Sequence, residues 1–385
     1  MFSSRVPSNR VPNRLARAAA HARATRPGLI DLTVTNPTTV GFEYPNDLLQ
    51  PLASRSALVY TPDPFGLEEA RAAVAGDYAR RGISIDESRI VLTASTSEAY
   101  SLLFKLLCSP GDAVLAPAPS YPLFDHLTRL DSVRTRAYHL GYHGRWNVDF
   151  GSVDEAWSDD VRAVLAVSPN NPTGSVLSPD ELSKLDTRCA NRSAAVILDE
   201  VFGDYPVADS APMPAVRSGA LTFRLGGLSK SAGLPQVKLG WIAVDGPDQL
   251  VGEALGRLEL ICDTYLSVST PVQVGAAAMM RAGADVRQQI QSRIVRNYRE
   301  LGREARAHPS VAALRADGGW SAVLRVPSTR TEEDLVLELM EHDDVLVHPG
   351  FFFDFPYEAF VVLSLLPEPA PFAEGVRRLM ERAGA

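Results

Sequence analysis

Short apolar runs punctuate the middle third of the chain: Arg89-Ile-Val-Leu-Thr93, Ala113-Val-Leu-Ala-Pro117, Ala163-Val-Leu-Ala-Val-Ser168, Ala195-Val-Ile-Leu-Asp199, Leu221-Thr-Phe-Arg-Leu225 and Gly240-Trp-Ile-Ala-Val244. Several are apolar on both faces, the pattern of strands in a mainly parallel sheet covered by helices on both sides. Helical periodicity fills the gaps, as in 97–107 and 179–189, the latter opening on Ser178-Pro-Asp-Glu181, a capping residue followed by proline and acids. Strand alternating with helix predicts an α/β unit. Beyond about residue 250 the pattern changes to long amphipathic helices, notably 284–307, and then to Ser321-Ala-Val-Leu-Arg325, Val345-Leu-Val-His348 and Phe360-Val-Val-Leu-Ser364. This predicts a second, smaller domain on which the N-terminal stretch packs. The expected division is 1–45 for that N-terminal segment, 46–270 for the large domain and 271–385 for the small one.

At 385 residues, with 45% hydrophobic and 22% charged positions, the chain can bury a large core, which excludes disordered and fibrous classes. A net charge of -8 argues against a protein that grips a nucleic-acid backbone. Cys108, Cys189 and Cys262 lie far apart, so neither a disulfide framework nor a metal site is implied. No apolar run reaches the roughly 18 residues of a membrane span, and the start lacks a secretory apolar region. A cytoplasmic protein acting on small molecules is expected. The opening stretch carries Arg5, Arg10, Arg14, Arg17, Arg23 and Arg26 with no acid. It reads as a leading helix rich in Arg and Ala, or as an organellar transit peptide.

In open parallel sheets, ligands bind beyond the carboxyl ends of the strands. Five such ends converge here on chemistry: Ser95-Thr96-Ser97 opening a helix, Tyr121, Asn170-Asn171-Pro172-Thr173-Gly174, Asp199-Glu200, and Gly226-Gly227-Leu228-Ser229-Lys230. Together they offer an amine, a carboxylate, a carboxamide, an aromatic face and a helix start suited to an anion. Each alone has an ordinary explanation, since Asn-Pro-Thr-Gly is a turn and an Asp after a strand is a cap. Their order and spacing make the case.

Ser168-Pro-Asn-Asn-Pro-Thr-Gly174, Leu198-Asp-Glu-Val-Phe202 and Leu228-Ser-Lys-Ser-Ala-Gly-Leu-Pro-Gln-Val-Lys238-Leu-Gly-Trp241 resemble the class I/II aminotransferases, which depend on pyridoxal 5'-phosphate. The segment Tyr60-Thr-Pro-Asp-Pro-Phe-Gly66 fits as well. The resemblance implies the fold type I architecture: a large α/β domain with a mainly parallel, seven-stranded sheet between helices, and a smaller α+β domain. It also implies a homodimer with shared active sites, an amino donor and a keto acceptor as partners, and no nucleic acid, membrane or metal.

By the same resemblance, Lys230 is the Schiff-base lysine and proton shuttle, and Asp199 pairs with the pyridine nitrogen. Asn171 reaches the phenolic oxygen and Tyr121 stacks on the ring. Ser95, Thr96, Ser97, Ser229, Lys238 and Tyr60 of the partner subunit hold the phosphate. Asn36, Asn171, His348 and Val362 are expected on the substrate side. Four positions depart from the family pattern. Phe202 stands where a tyrosine usually donates to the phenolic oxygen, Gly227 replaces a serine, and Lys238 replaces a phosphate-binding arginine. Val362 stands where an arginine usually grips the substrate carboxylate, with Arg325 as the nearest alternative cation. Transamination through Lys230 is the expected reaction. The alternative is a lyase or decarboxylase on the same cofactor, because shared motifs fix the cofactor better than the reaction.

Overall fold

Eight strands build the main sheet of the computed structural model, which describes residues 2–9, 11–207 and 219–384. Arg10 of the arginine-rich start lies outside the described residues. A two-residue strand, β1 (Ile30–Asp31), comes first and belongs elsewhere. The sheet strands are β2 (Ile90–Thr93), β3 (Ala113–Ala118), β4 (Arg134–Tyr142), β5 (Trp146–Val148), β6 (Val161–Val167), β7 (Ala195–Asp199), β8 (Thr222–Gly227) and β9 (Gly240–Asp245), in the spatial order β2-β9-β8-β7-β6-β3-β4-β5. From β8 through β4 every neighbouring pair is parallel, whereas β9 runs antiparallel between β2 and β8. Strands β2, β3, β7 and β8 are buried at every position. Their two-sided apolar pattern follows from helices covering both faces.

The fold is the expected one, with one strand more than the seven anticipated. The addition is β5, which folds back on β4 through a three-residue loop in which Gly144 adopts φ +81°, a region glycine enters without steric cost. Neither β4 nor β5 shows an apolar run. β4 begins Arg134-Thr-Arg and has only two buried positions, as suits a strand near the margin of a sheet.

The helix Thr96–Leu107 leaves β2, and the helix Pro179–Asn191 begins at the expected capping box, in which Ser178 and Glu181 satisfy each other's backbone N–H. The helix expected at 284–307 starts earlier and runs unbroken as Thr270–Ala307, 38 residues or about 57 Å. Its buried Asn297 donates to the carbonyls of Leu365 and Pro367 at 2.9 and 2.8 Å, which fastens the C-terminal third to it.

That last third forms a small antiparallel sheet in the order β10 (Ala312–Ala313), β11 (Ser321–Arg325), β14 (Phe360–Ser364) and β13 (His348–Pro349). Beside it, β1 pairs in parallel with β12 (Val345–Leu346). The leading helix Arg14–Thr25 buries Leu15, Ala19 and Ala22, spaced to share one face, and packs on the helix Glu332–His342. No helix among the described residues is long and apolar enough to cross a membrane.

Candidate active site

The carboxyl ends of the parallel strands face the small sheet across a cavity of about 450 Å³. One wall comes from the large sheet: Thr96 and Ser97 after β2, Tyr121 after β3, Asn171 after β6, Asp199 and Phe202 at the end of β7, and Lys230 after β8. The facing wall carries Trp320, Ser321, His348, Phe352 and Val362. Thr33 and Thr35, just past β1, close the side.

Asp199 and Glu200 follow one another at a strand end, so their side chains leave in opposite directions. Glu200 turns away from the cavity into a buried ion pair with Arg224 at 2.6 Å. Asp199 turns inward, 6% exposed, and accepts from the Tyr100 hydroxyl at 2.7 Å and from the Val201 N–H at 3.1 Å. It makes no ion pair among the described residues. Burial holds its pKa above the usual carboxylate value in spite of those two donors.

Lys230 sits in the short helix Leu228–Ser231, with its Nζ 4.8 Å from the centre of the Trp320 ring and 5.6 Å from that of Phe202. Desolvation lowers its pKa to about 8, against the opposing pull of Asp199. A lysine lowered toward neutrality holds a larger unprotonated fraction than an ordinary lysine, and that fraction is free to act as a nucleophile or to accept a proton. Tyr205 fixes the local backbone by donating to the Lys230 carbonyl at 2.5 Å. Asn171 accepts from the Ser321 hydroxyl at 3.2 Å, a link between the two walls.

The start of the helix Thr96–Leu107 is pressed against β9. A Cβ on Gly240 would lie 2.9 Å from the Ser95 carbonyl carbon and 3.1 Å from the Thr96 nitrogen, so only glycine fits this approach. Ser95 caps the helix by accepting from the Glu98 N–H at 3.1 Å. Thr96 and Ser97 line the cavity at the positive end of the helix.

Several anticipated residues lie outside the cavity wall of the single chain. Ser95 is occupied as a cap, Ser229 belongs to the Lys230 turn, and Lys238 is exposed with φ +61°. Tyr60 is 67% exposed. Asn36 is also exposed and caps the turn at Pro37–Thr39. Arg325 is exposed at the end of β11 and is absent from the wall. Tyr100, Trp320, Ser321, Thr33 and Thr35 were not anticipated. Tyr100 had a legible signal, since it follows Thr96 by four residues and Ser97 by three on one helix face.

Comparison with known proteins agrees with this geometry. The alanine aminotransferase of Mycobacterium tuberculosis is 26% identical over 378 residues, covering 94% of this chain and 87% of its own length. The glutamate-pyruvate aminotransferase AlaA of Escherichia coli is 23% identical over 350 residues, covering 88% and 86% respectively. Among solved structures, the alanine aminotransferase from Pyrococcus furiosus superposes with a TM-score of 0.88 over 99% of both chains at 21% identity. The profile of the family described as aminotransferase class I and II matches residues 40–368. A chain matched over that length, with the lysine and carboxylate meeting in one cavity, belongs to the class I and II aminotransferases and is a transaminase.

Proposed function

We propose that this transaminase holds pyridoxal phosphate in the cavity between the two sheets, with Lys230 as the covalent anchor. The observation that carries the proposal is a lysine amine lowered to about 8 in the same cavity as a buried, ion-pair-free carboxylate. These residues suit the cofactor. Asp199 makes no ion pair among the described residues and would receive the protonated ring nitrogen. Asn171 and Tyr121 would contact the phenolic oxygen and the ring face. Thr96 and Ser97 at the helix start would receive the phosphate, joined by Ser229, Lys238 and Tyr60 of the partner subunit.

When bound, pyridoxal phosphate supplies the carbonyl carbon that exchanges amino groups and a ring that withdraws electrons. The protein's own part is to place and move protons. The Lys230 amine would anchor the cofactor and, when free, would serve as the base that accepts a proton from the donor carbon and as the acid that gives it back. Asp199, whose charged form Tyr100 and the Val201 N–H favour against the effect of burial, would hold the ring nitrogen in its protonated form. Aminotransferase relatives favour amino transfer over the lyase or decarboxylase alternative.

We also infer a cytoplasmic homodimer that covers exposed apolar residues including Leu58, Val59, Tyr60, Tyr265 and Leu266. Sedimentation at working concentration tests this, and a monomer would overturn it. In the division into 1–45, 46–270 and 271–385, the packing of the first segment on the last is supported by the pairing of β1 with β12.

The test of the cofactor assignment is the visible spectrum of the cofactor-loaded protein before and after an amino donor is added, with Lys230→Ala in parallel. The expected result is a visible band that the donor bleaches and that the variant lacks. An identical band in Lys230→Ala would overturn the assignment of Lys230. A band that no donor changes would restore the lyase reading.

A further inference from the structure

We infer that the substrate favoured by this cavity carries no carboxylate on the carbon bearing the exchanged amino group, and is a primary amine with an apolar body. The inference rests on the proposed cofactor site and deepens it. Its basis is the wall that faces Lys230.

Val362 is 2% exposed on β14, paired with Val323 on one side and His348 on the other, and it lines the cavity. Neither neighbour supplies a charge. His348 is held neutral, because burial lowers its pKa to about 4 against the weaker opposing effect of Asp31. Apart from Lys230, no lysine or arginine lines the cavity among the described residues.

Two further cations come into question, and neither is on the cavity wall. Arg23 donates to Thr33 at 2.9 Å from behind the wall, but its guanidinium pairs with Asp31 at 2.8 Å and its side chain is half exposed. Arg325 is exposed at the far end of β11. Besides Asn171 and Asp199, the remaining surface is apolar or hydroxyl-bearing, with Leu123, Phe124, Trp320, Phe352 and Phe353 together with Thr33, Ser321 and Ser364. A carboxylate brought here would lose its water without gaining an ion pair, which disfavours it. An apolar body gains from the same surroundings.

The reaction balances without a further reactant. The donor carbon loses its C–N bond and one hydrogen and becomes a carbonyl, a two-electron oxidation. The acceptor carbon exchanges its carbonyl oxygen for the amino group and gains the hydrogen, the matching two-electron reduction.

The experiment uses matched ligands that differ at the carboxylate. The cofactor-loaded protein is mixed with phenethylamine or with phenylalanine, and the rate of bleaching of the visible band is followed. Calorimetry then compares two unreactive ligands, hydrocinnamyl alcohol and hydrocinnamate. The expected result is bleaching by phenethylamine at least roughly tenfold faster, and tighter binding of the alcohol. In Val362→Arg the preference should move toward phenylalanine by roughly ten- to a hundredfold, the value of a two-pronged guanidinium–carboxylate contact.

If Val362→Arg does not fold, the matched-ligand comparison on the unmodified protein decides alone. Phenylalanine reacting as fast as phenethylamine, or hydrocinnamate binding as tightly as the alcohol, would overturn the inference, whether the cation came from this chain or from a partner subunit. Binding of neither calorimetric ligand would overturn it as well. Absence of the visible band would sink the cofactor assignment instead, with the calorimetric comparison still deciding the substrate class.

Discussion

The Tyr100 hydroxyl donates to Asp199 Oδ2 across 2.7 Å where both residues are buried, 3% and 6% exposed. The phenol serves the charged form of the carboxylate, since burial alone would favour the neutral acid. Replacing Tyr100 with Phe removes that donor and raises the carboxyl pKa further. We expect kcat/KM to fall roughly tenfold while the cofactor is retained, and the acid limb of the pH–rate profile to move to higher pH. An unchanged acid limb would show that Tyr100 only packs.

Phe202 meets Trp320 edge-to-face at 5.4 Å and sits against Lys230 with no hydroxyl to offer. Phe202→Tyr adds a donor beside the proposed phenolic oxygen, which favours its ionised form. The visible band of the Lys230-bound cofactor should then titrate at lower pH than in the parent protein. A spectrophotometric titration with no displacement would remove Phe202 from that role.

Lys230 also shapes the stability of the cofactor-free protein. Its pKa falls from 10.5 in the unfolded chain to about 8 in the folded one, so between those values the unfolded state binds the extra proton and stability rises with pH. Below about pH 8 the buried ammonium costs the fold on the order of 3 kcal/mol. Cofactor-free Lys230→Met should therefore exceed the parent in urea midpoint at pH 7, with the gap closing as pH approaches 10.5. A gap independent of pH would contradict the lowered pKa.

Gly240 holds the helix start against β9. Gly240→Ala puts a methyl 2.9 Å from the Ser95 carbonyl carbon, which backbone cannot absorb without moving. A loss of about 1–3 kcal/mol is expected, together with weaker cofactor binding as Thr96 and Ser97 shift. Tm and a cofactor titration check the two effects separately; full affinity with a lowered Tm would detach the helix start from phosphate binding.

Legibility in the sequence followed burial. β3, β7 and β8 announced themselves because no position in them meets water. β4 escaped because Arg134 and Arg136 reach Asp160 near the sheet margin and interrupt its apolar pattern. In the site, Lys230, Asp199 and Asn171 were legible from their motifs and do share one cavity. Trp320 and Ser321 were not, because their part depends on the small sheet being folded against the large one, a contact between residues about 150 positions apart for Ser321 and Asn171. Val362 was marked by the arginine it replaces, and only the surrounding surface gives that replacement a chemical meaning.

The pairing of Ile30 with Val345 joins stretches of chain more than three hundred residues apart, and Thr33 and Thr35 follow directly from it. His348, Val362 and Ser364, on the same side of the cavity, all come after Lys230 and Asp199 in the chain, beyond the long helix Thr270–Ala307. A growing polypeptide therefore completes the Lys230 and Asp199 side of the pocket long before it can enclose anything there. Selectivity is thus written later in the chain than reactivity.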